Sequence, residues 1–175
     1  MSVQIKSLGM ASEIQVYDNF LSEKELDEIN FNLFRKNSTF VWFFNSYKTN
    51  MDDGLPQFTH FLYINGKINS EYYNIFDCLF KKLNVLSFLK IKLNLQIRDC
   101  EIQKSELHRD VELRSQEQKT GIFYLNSNNG YTFFENGEKI DSVKNRMVIF
   151  PTSSYHAGTT HTDTQYRCVL NMNWI

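Results

Sequence analysis

The chain has 175 residues, 42% apolar and 15% aromatic, with a formal net charge of −1. That length suits one compact domain, 1–175, which can bury a core without staples. The near-neutral balance excludes broad attraction to phosphate backbones or anionic lipid, so neither nucleic acid nor a membrane is an indicated partner.

In chain order, "SEIQVYDNF" (12–20) alternates as a strand does. Ser22 with Glu25 three residues later forms a capping box, and Leu26, Ile29 and Leu33 recur at helical spacing. This predicts a helix from about 23 to 35. "TFVWFFNSY" (39–47) and "FTHFLYIN" (58–65) are β-branched and aromatic and read as strands, the first mostly core. Ser70 caps a second helix, "EYYNIFDCLFKKLN", with Ile75, Cys78, Leu79 and Leu83 on one face. "LKIKLNLQIR" (89–98) is the clearest strand: Leu89, Ile91, Leu93, Leu95 and Ile97 point one way, and Lys90, Lys92, Asn94, Gln96 and Arg98 the other. "TGIFYLN", "YTFFEN", "RMVIFP" and "YRCVLNMNWI" follow as strands, with turns at "NSNNG" and "ENGEK". Helical support over about 1–85, then antiparallel strands over about 88–175, predicts a mainly β fold. The expected architecture is a double-sheet barrel or jelly roll with helices packed on one sheet.

Cys78, Cys100 and Cys168 are scattered and lack a CxxC spacing, as in a reduced cytoplasmic protein. No stretch approaches a signal peptide or a membrane span.

The chemistry concentrates in "SELHRDVELR". His108 and Asp110 stand at i and i+2, so on extended backbone both leave one face and can reach a single ion about 2 Å from each. Arg109 between them then points away. By itself the pair reads more readily as a solvated loop. His156, just after a predicted strand, would complete two histidines and a carboxylate, the facial set used for non-haem Fe(II). Arg167, 11 residues later, could fork onto a ligand carboxylate. His60 and His161 have no such partners by spacing.

With "HRD", "GIFYLNSNNGYTFFENGE", "NRMVIFPTSSYHAG" and "YRCVLNMNW" read together, the chain resembles the Fe(II)/2-oxoglutarate-dependent oxygenase superfamily. Its opening "VYDNFLSEKELDEI" is similar to the start of the prolyl-4-hydroxylase-like branch, in the manner of short oxygenases common in phages and marine microbes. The resemblance implies a double-stranded β-helix (jelly-roll or cupin-like). It implies iron on His108, Asp110 and His156, and the distal carboxylate of 2-oxoglutarate on Arg167 and Tyr124. Asn94 and Arg98 are expected to line the cavity as further cosubstrate contacts, and the loop 48–57 to form a mobile lid. The implied reaction uses O₂, with ascorbate as a supporting reductant, to hydroxylate a C–H bond with release of succinate and CO₂. The substrate would be a protein side chain, a nucleobase or a metabolite, met in the cytoplasm (the host's, if the protein is viral). "IRDCEIQKSELHRD" lacks the tyrosine-containing stretch of true prolyl hydroxylases, which argues against peptidyl-proline. Two other readings stay open: a cupin-like metalloenzyme that does not use 2-oxoglutarate, and a degenerate barrel acting as a binding module.

Overall fold

A computed structural model describes residues 14–48, 54–113 and 115–175. Their elements in order are β1 (Gln15–Tyr17), α1 (Glu23–Phe34), β2 (Phe43–Asn45), β3 (Gln57–Ile64), β4 (Lys67–Ile68), a 3₁₀ turn (Glu71–Phe76) and α2 (Asp77–Leu83). Then come β5 (Phe88–Ile97), β6 (Lys119–Tyr124), β7 (Tyr131–Phe134), β8 (Lys139–Asp141), β9 (Arg146–Pro151), β10 (His156–Gly158) and β11 (Tyr166–Trp174).

The strands form two antiparallel sheets. The large one runs β1-β9-β6-β11-β5-β3-β2, with β4 beside β3; the small one runs β10-β7-β8. One face of the large sheet, with Ile91, Leu93, Phe123, Met147, Leu170 and Met172, packs on Leu26, Ile29 and Leu33 of α1 and on Phe76 and Leu79. Each of these helix side chains contributes about 1.5–3 kcal/mol by leaving water. The other face packs Ile122, Tyr124, Val148 and Val169 against Phe134 of the small sheet. The order is therefore helices, large sheet, small sheet. The two sheets face each other as in a jelly roll, and the described strands do not close into a barrel.

Both helix starts follow the expected capping. Ser22 N–H donates to Glu25 Oε2 at 2.7 Å, and Glu25 N–H donates back to Ser22 Oγ at 3.3 Å. Ser70 Oγ accepts from Tyr72 N–H at 3.2 Å. The second helix departs from expectation in phase. Its first six residues wind as a 3₁₀ turn, at three residues per turn. Phe76, Leu79 and Phe80 therefore take the buried face, while Ile75, Cys78 and Leu83 are only partly buried. "TFVWFFNSY" is also corrected. Only Phe43–Asn45 is strand, and it is the sheet's edge. With a neighbour on one side only, Phe43 and Phe44 stay 60% and 63% exposed. Ile97, expected inward, ends β5 and is likewise exposed. Half of the expected lid loop 48–57, residues 49–53, lies outside the described residues. No described helix is long and apolar enough to cross a membrane.

Candidate metal centre

β10 is three residues long, and its first residue, His156, meets His108 across an isolated antiparallel bridge. The two exchange both backbone hydrogen bonds, His108 N–H to His156 O at 2.9 Å and His156 N–H to His108 O at 3.1 Å. Residues directly opposite in this way send their side chains to one face. The bridge thus sets two imidazoles side by side, ring centroids 5.1 Å apart. Asp110 turns to the same side. Its Oδ1 lies 3.8 Å from His108 Nε2 and its Oδ2 3.7 Å from His156 Nε2. All three donor atoms lie within 4.8 Å of one another. Arg109 points away, its guanidinium 4.9 Å over the Tyr155 ring.

Hydrogen bonds orient both imidazoles toward the carboxylate. His108 Nδ1 is 2.9 Å from Glu106 O, and His156 Nδ1 is 3.5 Å from Ser154 O. A carbonyl only accepts, so each Nδ1 carries a proton, and Nε2 is the nitrogen that each ring turns toward Asp110. Burial pushes the Asp110 carboxyl up, but His156, Lys90, His108 and Lys92 outweigh it and hold it at about 2. Burial pushes the His156 imidazole down, toward its neutral form. Asp110 Oδ2 is buried without a hydrogen-bond partner. An ionised oxygen in that position is costly, and a cation among the three donors would satisfy it. Two imidazoles and one carboxylate on one side of an open cleft fit Fe(II).

The opposite wall comes from the large sheet. Arg167 on β11 stands opposite Gln96 on β5 and is 5% exposed. Its Nε donates to Ser142 Oγ at 3.0 Å, and its guanidinium lies 5.7 Å from the Tyr124 ring. Among the described residues no carboxylate forms an ion pair with it. Burial lowers its pKa, the sign of a cation short of an anion. Gly158 opens a cradle in front of it. A Cβ there would sit 3.6 and 3.7 Å from the two terminal guanidinium nitrogens and 3.2 Å from Lys48 Nζ.

Between the walls is a cleft of about 540 Å³, its open mouth included. It is lined by His108, Asp110 and His156, by Arg167, by Asn94 with its strand neighbours Lys92 and Gln96, and by Asn171. Tyr124 is not part of this lining. It is fully buried, and its hydroxyl donates to Thr132 Oγ1 at 2.7 Å, so Thr132 presents the polar edge that Tyr124 was expected to present. Arg98 is a correction. β5 ends at Ile97, and Arg98 is exposed beyond it with its N–H on Gln165 O. His60 is held by Val41 O at 2.6 Å and Ser70 Oγ at 2.7 Å, away from the cluster. His161 is buried and also outside it. Sequence reading missed Ser142, Gly158 and Thr132, none of which carries a local signal. It placed Lys92 and Gln96 only on a polar face.

No sequence-family model matches the chain, and no curated protein matches it. Solved structures do match in fold. A prolyl hydroxylase from Trichoplax adhaerens, in complex with a hypoxia inducible factor oxygen degradation domain peptide fragment, aligns over 93% of this chain and 83% of its own. The TM-score is 0.68 at 14% identity. A 2OG-Fe(II) oxygenase family oxidoreductase from Burkholderia pseudomallei aligns over 93% and 84%, with a TM-score of 0.65 at 8% identity. The non-haem alpha-ketoglutarate-dependent epimerase SnoN from nogalamycin biosynthesis aligns over 93% and 77%, with a TM-score of 0.67 at 9% identity. The fold is that of the 2-oxoglutarate/Fe(II) oxygenases, prolyl hydroxylases among them.

Proposed function

We propose that this protein is an Fe(II)- and 2-oxoglutarate-dependent dioxygenase that hydroxylates a C–H bond of an organic substrate. The observation that carries the reading is the buried Arg167, without a carboxylate partner among the described residues, behind a glycine-lined cradle in the same cleft as the His108, Asp110 and His156 cluster. A metalloenzyme that does not use 2-oxoglutarate has no need of that cation.

Bound together, iron(II) and 2-oxoglutarate would supply the electrons that activate O₂, so that the C–H substrate, O₂ and the 2-oxo acid yield the hydroxylated product, succinate and CO₂. The chain's own residues do the rest. His108, Asp110 and His156 would hold the metal from one side and leave the other open to the cleft. Lys90 donates to the Asp110 backbone carbonyl and fixes that ligand's loop. Arg167, held in orientation by Ser142 and by the Tyr124 ring, would take the distal carboxylate in a two-pronged bond. Ile122 and Val169 line the floor and keep water from it. The similar folds include both a hydroxylase and an epimerase, so what the cleft presents to the substrate decides the outcome at the C–H bond.

The test is succinate release by anaerobically loaded protein given Fe(II), ascorbate and O₂, with 2-oxoglutarate binding measured in parallel. His108→Ala and Arg167→Ala should each abolish turnover. The reading fails if wild type neither binds 2-oxoglutarate nor turns it over.

A further inference from the structure

Lys92 sits at the middle of β5, opposite Asn171 of β11 on one side and Phe61 of β3 on the other. It lines the same cleft, partly buried, with its ammonium 5.7 Å from the Phe61 ring. Among the described residues it makes no hydrogen bond and no ion pair within 4 Å, whereas its neighbour Lys90 is occupied by the Asp110 carbonyl. Asn94 and Asn171 flank it, and the carboxamide oxygen of each is buried without a partner. Neither amide is committed to the protein, so each is free to turn its N–H pair toward a ligand.

The charges of the cleft decide what that ligand is. If the metal and cosubstrate bind as proposed above, the dication and the 2-oxoglutarate dianion cancel, and Asp110 cancels Arg167. Lys92 is left with its charge. Lys48 stands at the Arg167 end, beside Gly158, and Lys90 is occupied by the Asp110 carbonyl, so Lys92 is the uncommitted cation at its own end of the loaded cleft, in a place where an unpaired cation is costly. Arg167 does not share the task. It stands four residues from Lys92 along the β5–β11 ladder, opposite Gln96, which is about 13 Å at 3.3 Å per residue.

We propose that Lys92, with Asn94 and Asn171, forms the recognition site for a carboxylate group of the primary substrate. One ammonium and two neutral amides match a single negative charge. A phosphate, with a charge of about −1.5 to −2 at neutral pH, would need a second uncommitted cation beside Lys92, and the neighbouring Lys90 is held by the Asp110 carbonyl. This substrate class rests on the dioxygenase reading, and Lys92 is a specificity residue within it.

The experiment uses protein loaded anaerobically with Co(II) and 2-oxoglutarate, titrated by calorimetry with matched pairs: benzoate and benzamide, hexanoate and hexanamide, N-acetylglycine and N-acetylglycinamide. In wild type at least one acid should bind about tenfold or more tightly than its amide, the worth of one charge-assisted hydrogen bond. Lys92→Gln should erase that preference and shift the 2-oxoglutarate Kd by less than about threefold. Lys92→Arg, which keeps the charge, should restore the preference and guard against a merely unfolded variant. The proposal is overturned if acids and amides bind alike or not at all, or if Lys92→Gln keeps the preference. It is also overturned if that variant loses 2-oxoglutarate about tenfold, because Lys92 then holds the cosubstrate. Wild type that does not take up 2-oxoglutarate at all refutes the dioxygenase reading itself, and this proposal falls with it.

Discussion

Arg167→Met removes the guanidinium and keeps the length of its apolar stem, so it separates a ligand-binding arginine from a structural one. Each hydrogen bond from a charged donor to a carboxylate is worth about 1.5–3 kcal/mol. Loss of two raises the 2-oxoglutarate Kd by about 10² to 10⁴. In wild type loaded with Mn(II), 2-oxoglutarate at about 100 times its Kd adds about 2.7 kcal/mol of stability. At about 2–4 °C per kcal/mol for a chain of this size, the melting temperature rises by about 5–11 °C. The variant at the same concentration should show no rise. Without ligand the balance is different. The variant gives up the Ser142 bond at 3.0 Å and the Tyr124 ring contact, about 1 kcal/mol each. It also sheds a buried charge that has no anion, which costs a comparable amount or more. Ligand-free Arg167→Met should therefore match wild type within about 1 kcal/mol in urea denaturation. A ligand-free loss above about 3 kcal/mol, with the 2-oxoglutarate shift intact, would show Arg167 to be part of the scaffold and refute the reasoning.

Gly158→Leu should fill the cradle before Arg167, where a Cβ already stands 3.6 Å from a guanidinium nitrogen. It should weaken 2-oxoglutarate about tenfold or more by calorimetry without changing circular dichroism. Gly121→Ala places a methyl 2.7 Å from the Trp174 ring. It should cost about 1–3 kcal/mol and shift tryptophan emission, and an unchanged urea midpoint would contradict the packing. Asn145 joins the two ends of the fold: Leu21 N–H donates to its Oδ1 and its Nδ2 donates to Leu21 O, both at 2.8 Å, from a backbone with φ of 65°. Asn145→Ala leaves two buried groups unpaired and strains the backbone, so a loss of about 3–6 kcal/mol is expected. Hydrogen bonds from Arg146 at 2.6 and 3.0 Å lower the Asp18 pKa against its desolvation. A lowered carboxyl stabilises above its ordinary value of 3.8 and loses that contribution as pH falls through the folded value. Asp18→Asn should thus cost under about 1 kcal/mol at neutral pH, and the gap to wild type should close on acidification; a gap that widens there would reverse the sign.

Local rules carried much of this molecule. The capping box at Ser22 and the alternation along β5 each depend on residues within one element; the first appears as read, and the second holds from Ile91 to Gln96. The pairing of His108 with Asp110 is also local, since i and i+2 share a face. What one sequence does not display is register. Lys92, Asn94 and Gln96 share a cleft with Arg167 only because β5 pairs with β11 so that Gln96 faces Arg167. Arg98 obeys the same alternation on paper, but the strand ends one residue earlier. Ser142 and Gly158 matter because they touch Arg167 from other elements, as Thr132 touches Tyr124, and nothing in their own neighbourhoods marks them. The second helix misled for a different reason: a 3₁₀ start changes the residues per turn and rotates the buried face.

The division of the site between the sheets bears on how it works. His108, Asp110 and His156 come from the small sheet's side, on β10 and the segment bridged to it. The cations and amides come from the large sheet. Phe134 packed against Ile122, Tyr124, Val148 and Val169 already holds the two sheets together at the apolar end. At the cleft Lys90 of β5 already reaches across to the Asp110 carbonyl, while among the described residues Asp110 Oδ2 has no hydrogen-bond donor and Arg167 and Lys92 have no carboxylate partner. On the proposed reading, 2-oxoglutarate would run from the His108, Asp110 and His156 cluster to Arg167 and add a further link between the sheets. Its binding energy would then help to fix the distance between the sheets, which is also the distance that would aim a substrate held at Lys92 toward the cluster.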